Sequence, residues 1–128
     1  MVSVEIMRSR VQSTENFIET ANDKINRLRA CRARLMGQEI TMAHAKHTFK
    51  EPALTKDTWY GKHANEFDAE REAEVVNSYN DLLNEVGETI EKATREIQST
   101  QEVINHQHSL LSDYRIGLER AIEREKER

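Results

Sequence analysis

Histidine and carboxylate pairs are the residues of this chain that could do chemistry. His44 and His47 lie one helical turn apart, and His106 and His108 lie two residues apart. The first pair has the i, i+3 spacing that lets two imidazoles share a metal ion on one helix face. A zinc-type site needs three or four ligands, and no cysteine or paired carboxylate completes one here. Glu102 and His106 are four residues apart, not the three of the Glu-x-x-His element on which di-iron bundles are built. No glycine-rich phosphate loop, nucleophile elbow or triad can be assembled. The histidines read as solvated side chains on helix surfaces. The sequence predicts no enzyme, no metal site and no cofactor.

What would position such residues is helix. The 128 residues suffice for one domain, read as 1–128; 33% are charged, 37% hydrophobic and only 5% aromatic. That composition lines the seams of long helices but does not fill a thick globular core. Four glycines and one proline leave few places to turn. Cys31 is the lone cysteine, so no internal disulfide is possible, and it reads as a small apolar filler on the first helix, with an intermolecular bridge as the lesser alternative. No apolar run approaches the roughly 18 residues of a membrane-spanning helix. Residues 1–10 mix acid and base with apolar side chains and lack the core of a secretory signal.

The formal net charge of −4 is unevenly split. Through Lys50 there are nine Lys/Arg against five Asp/Glu, and beyond it ten against eighteen. A basic arm folded on an acidic one places opposite charges at exposed flanks, each pair contributing a few tenths of a kcal/mol. The run Lys24, Arg27, Arg29, Arg32, Arg34 is scattered around its helix without interleaved aromatics, so no nucleic-acid partner is expected.

From Val4 to Phe49 the apolar residues recur every seven positions. Val4, Val11, Ile18 and Ile25 form one series, and Met7, Thr14, Ala21, Leu28, Leu35, Met42 and Phe49 the other. These are the a and d positions of a helix with a narrow buried seam. The first series fails at Arg32 and Glu39, where Cys31, Met36 and Ile40 offer substitute apolar groups, so the stripe is expected to drift in its last third. Lys46, His47 and Lys50 suit the negative end of that helix, and Pro52 stops it. Thr55, Asp57 and Thr58 are candidate N-caps for a second helix.

The second arm is more regular. Val76, Leu83, Ile90, Ile97, Ile104, Leu111 and Leu118 recur without a miss, accompanied by Tyr79, Val86, Ala93, Thr100, Gln107, Tyr114 and Ala121. Thr100 and Gln107 are polar in that seam, either as tolerance near an open end or as a device that fixes register. The fold expected is all-α, an elongated antiparallel helical hairpin: a helix over about 3–50, an elbow over about 51–58, a helix over about 59–122 and a frayed charged tail to 128. At 1.5 Å per residue the arms would be about 70 Å and 95 Å long. Folding about a point near residue 54 would set Val4 opposite Ile104, leaving Leu111, Tyr114, Leu118 and Ile122 beyond the N-terminus. Such a row needs a cover, and a two-helix hairpin buries only one face of each helix. Val76, Leu83, Ile90, Ile97, Ile104, Leu111, Tyr114 and Leu118 are thus the candidate partner surface.

The elbow carries Trp59-Tyr60-Gly61, followed by Ala64 and Phe67. This W-x-G-x-x-A-x-x-F string, at the break between two heptad arms, resembles the signature of the WXG superfamily of type VII secretion helical-hairpin proteins. In length and arm asymmetry the chain resembles the YwqH-like accessory proteins of LXG toxins. The resemblance implies that Trp59 closes the end of the hairpin and that Gly61 permits close backbone approach. If residues 59–67 are helical, Trp59 and Gly61 point roughly 200° apart, and Phe67 faces away from the main seam. Either local closure by Ala53 and Leu54 or a second surface for another protein would use them.

The resemblance further implies an adaptor or chaperone that pairs through its helices with the helical N-terminal region of an LXG-type toxin, or with a related small helical protein. Synthesis in the cytoplasm of a Gram-positive bacterium and export by type VII secretion belong to the same expectation. The alternatives are a homodimeric secreted substrate and a structural cytoplasmic coiled coil. The Y-x-x-x-D/E export form is absent: Tyr114 is followed by Leu118, with the acid one step late at Glu119. That absence argues against export of the chain by itself and favours a composite signal shared with a partner.

Overall fold

The computed structural model describes residues 3–46 and 70–127. Helix α1 spans Val4–Ala45; a π-helical stretch, Arg71–Val76, leads directly into helix α2, Asn77–Lys126. The protein is all-α, with its two long helices packed antiparallel, as the heptads predict. The expected end of α1 at Lys50, the stop at Pro52, the caps at Thr55, Asp57 and Thr58, and the helix start at 59 lie outside the described residues.

Local chemistry sets the visible ends. Ser3 caps α1: its Oγ accepts the Ile6 N–H at 3.2 Å while its carbonyl accepts the Met7 N–H at 3.1 Å. That satisfies donors that the first turn leaves open, and Glu5 adds a favourable charge there. At the other end, Arg124 and Lys126 complement the dipole of α2. Ala121 is buried and Ile122 half-buried, so α2 stays helical to Lys126, past the 122 expected.

The chain divides into two compact units, residues 1–30 with 94–128 and residues 31–93. In the first, Ile18, Ala21 and Ile25 of α1 interlock with Ile97, Ile104 and Leu111 of α2, and Val11 and Leu28 pack against them. Ile25 and Ile104 are each only 2% exposed. Burying each such side chain stabilises the pair by about 1.5–3 kcal/mol. Thr14 and Thr100 are also buried. Among the described residues, no buried side-chain nitrogen or oxygen lacks a hydrogen-bond partner.

In the second unit the seam runs through Leu35 and Met42 of α1 and Val76, Tyr79, Leu83, Val86, Ile90 and Ala93 of the opposite strand of helix, all buried or half-buried. Here the expected drift of the stripe is corrected. Arg32 and Glu39 hold the seam positions and are half-buried, whereas Cys31, Met36 and Ile40 are exposed. Gly87 of the second helix lies opposite Glu39: a Cβ there would stand 3.5 Å from the Glu39 carboxylate, an ordinary contact distance. Long charged side chains can occupy such half-buried positions because their apolar stems pack while their charged ends stay near solvent. Cys31 is therefore a surface thiol, not a filler.

Candidate partner surface

The register of the two helices decides which side chains remain available. Met7 packs on Gly117, whose missing Cβ would fall 2.6 Å from the Met7 Cε. Arg10 lies over the Tyr114 ring, 5.9 Å from its centroid, a cation–π contact. Glu15 accepts from Arg115 at 3.0 Å, and Lys24 donates to Glu96. The N-terminal turns of α1 thus cover the C-terminal turns of α2. The expected pairing of Val4 with Ile104 is off by about four turns. No overhanging row remains: Leu111 is 5% exposed and Ala121 4%.

The candidate partner series is placed accordingly. Val76, Ile97, Ile104 and Leu111 are buried in the chain's own seam. Leu83, Ile90, Tyr114 and Leu118 are half-buried along it. Thr100 is buried and Gln107 half-buried, so both polar seam positions face the partner helix well inside the paired region. The motif residues Trp59, Gly61, Ala64 and Phe67 lie outside the described residues.

Charge distributes less simply than the two arms suggest. Lys24–Glu96 joins a base on α1 to an acid on α2, but Glu15–Arg115 runs the other way. The side chains of both pairs are between 40% and 58% exposed, so each contributes little and is screened by salt.

Sequence reasoning missed exposed apolar residues in each unit, at the heptad position before the seam, a position that Thr89 and Glu96 make polar in between. Val75, Leu82 and Val103 each precede a seam residue and are 45%, 48% and 42% exposed; Leu110 continues the series, half-buried. Phe17 on α1, next to Ile18, is 48% exposed. The signal was present in the sequence as a third apolar position in the heptad, one step before the a position. In the first unit Phe17 and Val103 flank one groove, with Ala21 and Thr100 below them.

A profile of the YwqH-like family matches residues 4–119. The chain belongs to the YwqH-like family. No curated protein and no solved structure matches it. In this YwqH-like chain, the matched span covers both paired helices through Glu119. No group of three or more His, Cys, Asp or Glu that could hold a metal occurs among the described residues. No described helix is long and apolar enough to cross a membrane.

Proposed function

We propose that this YwqH-like hairpin is a non-enzymatic adaptor or chaperone for an LXG-type toxin in type VII secretion. The observation that carries the reading is the family match over residues 4–119. The paired helices support it physically. They bury a seam within each unit and leave apolar side chains on both helices at the surface, among them Phe17, Leu82 and Val103. An antiparallel pair of this kind gains further burial when another helical chain packs alongside it. The half-buried seam members Leu83, Ile90, Tyr114 and Leu118 can contribute at the edges of such an interface. Trp59, Gly61, Ala64 and Phe67 are the motif residues of the same reading.

The test is co-purification. The chain is co-expressed with the helical N-terminal region of an LXG toxin from the same genome, only the toxin region carrying a tag. A stoichiometric complex that survives size exclusion is the expected result. Two separate species, with this chain a stable homodimer by light scattering, would overturn the adaptor and favour a self-paired secreted substrate.

A further inference from the structure

The groove of the first unit is built unlike the seam around it. Its floor is small, Ala21 and Thr100, whereas the adjoining seam positions hold Ile18, Ile25, Ile97 and Ile104. Its walls are the ring of Phe17 and the side chain of Val103, both close to half exposed. The result is a dip of about 380 Å³ between two apolar shoulders, open to solvent. The shoulders come from different helices, so the dip exists only when α1 and α2 are paired.

Charge around the dip has one sign left over. Lys24 and Arg27 edge it from α1, and Glu96 edges it from α2. Glu96 is engaged by Lys24, and Arg27 meets no carboxylate among the described residues. Thr20 and Ser99 complete the rim without adding charge. An apolar dip with a cationic edge fits an incoming helix that carries a bulky apolar side chain and a carboxylate about one turn away. A second copy fits less well. If it offers its Phe17 edge, it brings its own Arg27 against the same leftover cation. If it offers its Val103 edge, the acid it brings, Glu96, is already paired.

We infer that this groove is the docking point for an amphipathic partner helix, with a large apolar side chain seated between Phe17 and Val103 and an acidic residue reaching Arg27. The inference rests on the adaptor reading and assigns it a face. Binding is centred on the folded pair of helices, on the flank of the seam and not in it. The partner helix becomes a third helix beside α1 and α2.

The experiment is titration calorimetry with the helical N-terminal region of an LXG toxin from the same genome as the probe. Phe17→Ala with Val103→Ala removes both shoulders, Arg27→Glu reverses the edge, and Ile116→Ala, also exposed, is the control. All sites changed are exposed, so far-UV circular dichroism melts should match the unaltered protein. The shoulder double variant should bind at least about tenfold more weakly and Arg27→Glu about tenfold more weakly, as expected for anchors of an interface. Ile116→Ala should stay within about twofold. Binding by the shoulder variant within twofold of the unaltered protein overturns the inference and leaves the adaptor reading standing. Equal or tighter binding by Arg27→Glu overturns the acidic partner. No binding by the unaltered protein overturns both.

Discussion

Gly117 lies against the thioether of Met7: a methyl group on Gly117 would fall 2.6 Å from the Met7 Cε and 3.7 Å from its sulfur. Met7 is 6% exposed, so this close approach fixes where the N-terminal turns of α1 sit on α2. Glycine is a poor helix former, costing roughly 0.5–1 kcal/mol relative to alanine. Here that cost is the condition for the contact.

Three substitutions separate the two contributions. Gly37 has nothing within 4 Å of a built Cβ, so Gly37→Ala should stabilise the protein by about 0.5–1 kcal/mol. Gly117→Ala gains the same propensity but must displace the end of Met7. Because Met7 is flexible there, the net change should fall within about 1 kcal/mol of zero. Gly117→Leu cannot be accommodated by that movement and should destabilise by about 1–3 kcal/mol. Urea midpoints at unchanged m-value give the order. A neutral Gly117→Leu would mean that Met7 does not pack there.

The seam makes a second prediction, about where stability is concentrated. Ile25 and Ile104 are each 2% exposed, while Ile40 is 60% exposed on the same helix as Ile25. Ile25→Ala and Ile104→Ala should each cost about 2–5 kcal/mol through lost burial and the cavity left behind. Ile40→Ala should cost less than about 0.5 kcal/mol, as surface substitutions do. Thermal unfolding followed at 222 nm measures all three. A large loss at Ile40 would return it to the seam, where the sequence pattern had set it.

That contrast shows how far the pattern could be read. Seven-residue spacing names the residues that face inward, and it did so from Val76, at the end of the π-helical stretch, along α2 to Ala121 without a miss. On α1 it failed where charge interrupts it. Arg32 and Glu39 break an apolar series, yet both keep the seam position and are half-buried. Spacing also could not set the register. Sliding one helix past the other by whole heptads returns apolar residues to apolar residues, so many alignments share the same pattern. What distinguishes them is one glycine under one methionine, and ion pairs such as Lys24–Glu96. The docking groove was hidden for a related reason. Phe17 and Val103 stand 86 positions apart by their numbers and become one feature only in the correct register. The Trp59–Phe67 motif belongs to residues 47–69, outside the described part of the chain, and its role stands on resemblance.

Register is open to direct measurement by cross-linking. Cys31 is exposed and would compete for any thiol reagent, so the background is Cys31→Ser. In it, Met7→Cys with Gly117→Cys places two thiols at a contact. A short bifunctional maleimide at low protein concentration should link them within one chain, and peptide mass spectrometry should join the segment around residue 7 to that around 117. The comparison pair is Val4→Cys with Ile104→Cys, which folding about a point near residue 54 would have set face to face. In the register seen here these positions are about four turns apart along the helices, on the order of 20 Å, beyond the reach of the same reagent. Linkage of 7 to 117 without linkage of 4 to 104 supports the packing described. The reverse would reinstate an overhanging C-terminal row, and with it a need for a partner at Leu111 and Leu118 instead of at Phe17 and Val103.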